Sequence, residues 1–338
     1  MSGTARGLRF GFRQVLRESG VAILLSVAAC SRKQPSDSAA HSDNAPASHS
    51  WWNKTPAQPP PAEIWKEFSG EKAFAHTQHL VELGPRPEGS EALEKTRKYI
   101  ADTLESSGWK IEHQKFNDDT PRGNMAFENL IARFGDAKPA ETQQAIVASH
   151  YDTKLFSTIR FVGASDGGSS TGALLELARV LALDPGLARR VELVFFDGEE
   201  AFVQFNATDG LYGSRFYART LRETKRNGQL KFGILWDMIG DKNLTITLSP
   251  DSPAQVARGI LDAATTLGLR DAFSYYDHDI YDDHVPLNTA HVPTIDLIDF
   301  NYPPWHTADD TLDKLSPESL QKIGAVTLYY LRKQLTNP

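Results

Sequence analysis

Residues 191–200 read Val191-Glu192-Leu193-Val194-Phe195-Phe196-Asp197-Gly198-Glu199-Glu200. The first six form a short, largely apolar run, the pattern of a strand buried on both faces of a helix-covered sheet. A glycine and two adjacent acids follow. Neighbouring carboxylates repel, and a sheet edge does not need them for stability. If one of the pair holds a metal, its charge is neutralised while the other stays free to move protons beside it. Most Glu-Glu pairs are solvated surface acids, but this one follows a buried strand through a glycine, which points to a site.

Outward from this strand, the chain alternates between helix and strand. Residues 145–149 form a second apolar run, and residues 171–183 between the two predict an apolar helix. Strands are predicted over 110–116, 127–134, 233–239, 244–248 and 292–298, with residues 117–124 as a turn-rich connection. Helices are predicted over 71–83, 91–107, 254–267 and 317–335; Gly84-Pro85 stops the first, and Ser90 caps the second with Glu94 in its first turn. The pattern predicts an α/β fold over residues 63–338. It is a single domain with a central twisted, mostly parallel or mixed β-sheet flanked by helices on both faces.

Such sheets place their chemistry at the carboxyl ends of strands, and the polar residues gather there. His150-Tyr151-Asp152 follows one apolar run, Asp237 lies at the end of another, and Trp305-His306-Thr307 follows the last. Asp166, within Gly163-Ala164-Ser165-Asp166-Gly167-Gly168, stands just ahead of a helix, where a capping role is the plain alternative. Asp237 in an apolar strand is costly without a partner. A mixed set of carboxylates and imidazoles suits zinc, which takes three protein ligands in catalytic sites and leaves a fourth position open.

The N-terminus departs from this pattern. Arg6, Arg9, Arg13 and Arg17 precede a short apolar run that ends at Cys30, the single cysteine. A basic region followed by a short apolar stretch reads as an export signal, here residues 1–30, and is too short to span a bilayer. Val27-Ala28-Ala29-Cys30 resembles the lipobox of bacterial lipoproteins, which implies an exported protein, periplasmic or held on an envelope membrane by lipid at Cys30. Residues 31–62, rich in Ser, Ala, Pro and Asp, predict a flexible tether; Trp51 and Trp52 within it have no assigned role. With a net charge of −7, no nucleic-acid surface is expected. A monomer is expected.

Several of these segments coincide with the motifs of peptidase family M28, the zinc aminopeptidases. They are Leu83-Gly84-Pro85-Arg86-Pro87-Glu88-Gly89-Ser90, His150-Tyr151-Asp152, Asp166, Glu199-Glu200, Asp237 and His306-Thr307 with Asp310-Thr311. The chain resembles that family over about residues 65–338. The resemblance implies that Asp166 bridges two zinc positions, Glu200 and His306 completing one and His150 and Asp237 the other.

Phe161-Val162-Gly163-Ala164-Ser165-Asp166, Asp197-Gly198-Glu199-Glu200-Ala201-Phe202, Asp282-Asp283-His284-Val285-Pro286 and Trp305-His306-Thr307 are closer to the animal-type glutaminyl cyclases of the same family. That likeness implies one zinc on Asp166, Glu200 and His306, with peptide or protein N-termini as substrate. It makes Glu199 the acid/base, Asp237 and Asp283 its carboxylate partners, and Trp305, Tyr302 and Phe205 the pocket walls. The chain departs from the cyclases at Phe205, where they carry Trp, and at the Gly-Gly-Ser-Ser after Asp166. A two-zinc aminopeptidase, with His150, Asp166 and Asp237 as the second site, is the alternative.

Overall fold

A computed structural model of the chain describes residues 59–135 and 142–336. The export signal, Cys30, and Trp51 and Trp52 lie outside the described residues, as does all of the tether before Pro59. Six strands form the main sheet: β1 (Trp109–Thr120), β2 (Gly123–Phe134), β3 (Ala145–His150), β4 (Val191–Phe196), β5 (Phe232–Asp237) and β8 (Thr294–Ile298). Their order is β1-β2-β4-β3-β5-β8. β4, β3, β5 and β8 run parallel, while β2 joins β4 antiparallel and turns back into β1. The sheet is therefore mixed, a parallel core with an antiparallel hairpin on one side.

Side chains alternate across a strand with a period of two, and here both faces are apolar. Val147, Leu193, Phe195, Ile234, Trp236 and Leu297 point into the larger core layer. It is covered by α1 (Gly70–Leu83), α2 (Glu91–Ser106), α3 (Gly168–Leu181), the single turn α4 (Pro185–Ala188), α6 (Ala254–Thr266) and α8 (Pro317–Thr336). Ile146, Ala148, Val194, Phe196 and Leu235 face the other way. They meet Tyr217 and Leu221 of α5 (Tyr212–Glu223) and Leu287 of α7 (His284–Thr289).

Polar groups are also buried in this sheet, and one of them is settled within it. Glu192 in β4 is fully buried, and Arg133, Arg226 and the Tyr217 hydroxyl all donate to its carboxylate, Arg226 at 2.8 Å. Burial alone raises a carboxyl, but the two guanidiniums outweigh it and hold Glu192 below its usual range.

The structure departs from the sequence expectation in several places. Residues 117–124 are not a loop: β1 and β2 continue to a two-residue turn, held by Asn117 Nδ2 to Asn124 Oδ1 at 3.1 Å and Asn124 Nδ2 to Asp119 Oδ1 at 2.9 Å. Their side chains supply cross-strand bonds in place of core burial. Only Ile246–Leu248 of the strand predicted over 244–248 forms, as β6; it pairs with β7 (Phe273–Tyr275) in a separate two-stranded sheet. Helices α5 and α7 carry no sequence prediction. As expected, Ser90 caps α2, its Oγ accepting from Leu93 N at 3.1 Å, and Glu94 stands in the first turn, where it accepts from Arg97 at 2.5 Å. Among the described residues, no helix is long and apolar enough to cross a membrane.

Candidate active site

The carboxyl ends of the parallel strands meet at one edge. His150 ends β3, Asp237 ends β5, and β4 runs directly into Asp197-Gly198-Glu199-Glu200. Gly198 makes that exit possible: its φ is +65° and a Cβ there would lie 2.5 Å from the Phe127 ring. The other two contributors lie on loops, Asp166 ahead of α3 and His306 beyond β8.

Two aspartates grip these loops through main-chain amides. Asp152 accepts from Glu199 N at 3.1 Å with one oxygen and from Glu200 N at 3.2 Å with the other. Asp310 accepts from Ser165 N at 2.8 Å and Asp166 N at 3.2 Å in the same fashion. Behind them lies Arg86, fully buried, donating to the carbonyls of Tyr151, Val162 and Gly163 at 3.0, 2.8 and 3.0 Å. Burial pulls its guanidinium down to about 10, still charged at neutral pH, within the field of Asp152, Asp166 and Asp310.

These supports hold two trios that share Asp166. Asp166, Glu200 and His306 bring one ligand atom each within 4.8 Å of one another, and His150, Asp166 and Asp237 do the same. His306 Nε2 is 3.3 Å from Glu200 Oε1 and 3.4 Å from Asp166 Oδ2; His150 Nε2 is 3.2 Å from both Asp166 Oδ1 and Asp237 Oδ1. His306 has a positive φ of 56°, a strained conformation that aims its ring at the acids.

The charge balance suits a cation. Asp166 is pushed up to about 7, by burial first and then by Glu200, and its Oδ2 has no hydrogen-bond partner. Burial raises Glu200 too, but His306 and Lys154 outweigh it and hold it down. Buried carboxylates with nitrogen donors alongside are the set that zinc takes.

Glu199 stands beside the trios, its Oε2 4.0 Å from His150 Nδ1. Burial first, and then the neighbouring acids Glu200, Asp282 and Asp283, hold it well above the usual carboxylate range, against the pull of His150. It lines a cavity of about 210 Å³ together with Asp166, Asp237, Asp282 and His306, and with the rings of Phe205, Phe300 and Trp305. Trp305 stacks on His306 at 4.3 Å between centroids.

The structure thus brings together Asp166, Glu199, Glu200, Asp237, His150, His306, Trp305 and Phe205. Two of the expected residues stand off the cavity. Asp283 does not line the cavity; it is fully buried at the start of α7, and its neighbour Asp282 faces the cavity instead. Which of two adjacent acids points inward depends on where α7 begins, and the sequence does not mark that start. Tyr302 is no pocket wall either: it is buried and donates its hydroxyl to Asp310 Oδ1 at 2.8 Å, and Phe300 takes the wall position. The sequence reading gave no role to Asp152, Asp310 or Arg86, although all three lie inside quoted motifs. Their signal was polar residues at the margins of apolar runs. Lys154, which donates to Glu200 Oε2 at 3.4 Å and lies over the Phe205 ring at 5.2 Å, carried no signal.

A mixed sheet with helices on both faces, and carboxylate-histidine clusters that could hold a metal at its carboxyl edge, is the architecture of the zinc-exopeptidase-like fold. The chain belongs to peptidase family M28, which it matches over residues 129–331. It is similar to the glutaminyl-peptide cyclotransferase of Bothrops jararaca, at 33% identity over 75% of this chain and 78% of that protein. The crystal structure of a glutaminyl cyclase from an Acidobacteriales bacterium superposes with a TM-score of 0.72 at 33% identity, covering 83% of this chain and 98% of that one. A zinc-dependent exopeptidase from Parabacteroides distasonis gives a TM-score of 0.71 at 25% identity, covering 80% of this chain and 99% of that one.

Proposed function

We propose that the chain is a zinc-dependent glutaminyl-peptide cyclotransferase, converting N-terminal glutamine of peptides or proteins to pyroglutamate with release of ammonia. The observation that carries this reading is the kinship to curated cyclotransferases over three quarters of the chain, joined to a small, aromatic-walled cavity around a buried Glu199. One zinc on Asp166, Glu200 and His306 would supply a Lewis acid to polarise the side-chain amide of the substrate.

The residues of the chain do the rest. In the reaction, the α-amine nitrogen bonds to the amide carbon and the bond from that carbon to the amide nitrogen breaks. Glu199 takes a proton from the amine and hands it to the departing nitrogen, so the proton count closes with ammonia as the only other product. A carboxyl raised by burial and acidic neighbours is suited to both halves of that transfer. Asp237 and Asp282 line the same cavity and offer acceptors for the N–H groups of the substrate. Trp305, Phe205 and Phe300 wall the short side chain and keep water from the reacting carbon.

The second reading, a two-zinc aminopeptidase, is favoured by one observation: the second trio, His150, Asp166 and Asp237, is complete. Incubation of purified protein with Gln-Xaa and Leu-Xaa peptides separates them. Ammonia from Gln-Xaa is expected; free leucine without ammonia would overturn the cyclase reading, and two tightly bound zincs per chain would support the peptidase.

We also propose that residues 1–30 direct export and that 31–62 tether the catalytic domain, residues 63–338, to a lipid at Cys30. The basic, short-apolar and cysteine-ending sequence supports this.

A further inference from the structure

Helix α5 carries Arg215, Arg219 and Arg222 at spacings of four and three, so the three guanidiniums share one face. That face is one wall of a groove of about 320 Å³, with Val285, Pro286 and Thr289 of α7 opposite. No carboxylate lines the groove. Among the described residues, the Arg222 guanidinium makes no hydrogen bond or ion pair, and that of Arg219 only rests on the Phe216 ring at 4.8 Å. Arg215 alone nears an acid, Asp118 Oδ2 at 3.7 Å.

Three like charges on one helix face repel one another, in a chain whose net charge is −7. Packing does not require them, since Arg219 and Arg222 are exposed. Their position gives the reason. Tyr281, 44% exposed, lines both this groove and the catalytic cavity, so the two are adjoining compartments of one surface. A peptide with its first residue in the cavity must leave it as an extended chain, advancing about 3.3 Å per residue. Arg is also the side chain that best matches carboxylates, by its planar fork of donors.

We propose that the groove is a specificity subsite that binds acidic side chains of the substrate a few residues after its N-terminal glutamine. The inference rests on the cyclase reading of the cavity and names the class of peptide it prefers.

The test uses hexapeptides beginning with Gln: one with five alanines, a set with a Glu pair moved along the later positions, and a matching set with Lys pairs. In low salt, one Glu register should give kcat/KM about fivefold above the alanine peptide, mainly through KM, because each exposed pair contributes modestly. The gain should fade as salt approaches about 0.5 M, where the Debye length falls to a few ångströms. In the double variant Arg219→Glu/Arg222→Glu, the Glu-to-Lys ratio should drop below one. A ratio of one at every register, or a ratio unchanged in the double variant, overturns the subsite. Failure of every peptide to release ammonia is a different result: it removes the cyclase reading and the subsite with it.

Discussion

The two ends of one strand, β4, treat buried acids in opposite ways. Near its start, Glu192 is surrounded by Arg133, Arg226 and Tyr217, and its charge is settled within the protein. Just past its other end, Glu199 and Glu200 join Asp166, Asp237, Asp282, Asp283 and Asp296 in a crowd of buried carboxylates. Both oxygens of Asp283 and Asp296, and one each of Asp166 and Asp282, lack a hydrogen-bond partner. Burial holds Asp283 and Asp296 well above the carboxylate range, with further pressure from Asp282 on both. The contrast separates structural from functional charge: the first is neutralised by the chain itself, the second is left for a cation, a proton or a substrate nitrogen.

That contrast can be broken from either end. The largest effect is expected at the unsettled end: Glu199→Gln should cut kcat by about 10³-fold, the range of a lost acid/base. Zinc content measured by atomic absorption should stay at the wild-type level. Loss of metal instead would mean that Glu199 and Glu200 have exchanged roles. At the settled end, Glu192→Gln leaves Arg226 without its anion and Arg133 with Glu112 alone, and should lower unfolding free energy by about 3 kcal/mol, read from urea melts. Catalysis by the molecules still folded should be intact.

The adjacent acids sharpen the comparison. Asp282→Asn should lower kcat by about 30-fold while Asp283→Asn lowers it by less than about threefold, because only the former faces the reacting groups. Equal losses would return the role to Asp283. Trp305→Ala should raise KM about tenfold with a smaller change in kcat, by opening one wall of the cavity.

The smallest effect is on pH. Asp197 and Asp282 are each raised to about 6, burial being the first cause, so they favour the fold while protonated. Metal-free protein should therefore lose stability as pH rises from about 4 to about 6, the interval between their unfolded and folded values. Glu192 runs the other way: its depressed value stabilises the fold above about 4.3 and is lost as pH falls further. Melting temperatures of chelator-treated protein across this window measure the balance, and Glu192→Gln should lower the curve evenly above about pH 4.3 while removing its own share of the loss on acidification.

The sequence disclosed the parallel strands well, since runs such as 145–149 and 191–196 are apolar enough to be read alone. The residues of the two trios were legible one by one, as polar residues at or beyond the ends of apolar runs, but their grouping was what the resemblance to family M28 implied. Helix α5 escaped because Gly210 just before it, Gly213 and three arginines mask a short apolar stripe of Tyr212, Tyr217, Ala218 and Leu221. The extension of β1 and β2 escaped because polar side chains pair across a hairpin that no core requires. Asp283 and Tyr302 stand off the cavity for a shared reason: which way a side chain points in a loop is set by contacts distant in sequence.

The grips of Asp152 and Asp310 bear on the order in which the enzyme is made. Each locks two successive amides of a ligand-bearing loop with the chain's own atoms, so the loops take their shape from folding alone. Maturation can then proceed in two stages, with a finished apoprotein first and the ion afterwards. The protein can be loaded in whichever compartment supplies zinc, without being unfolded to receive it.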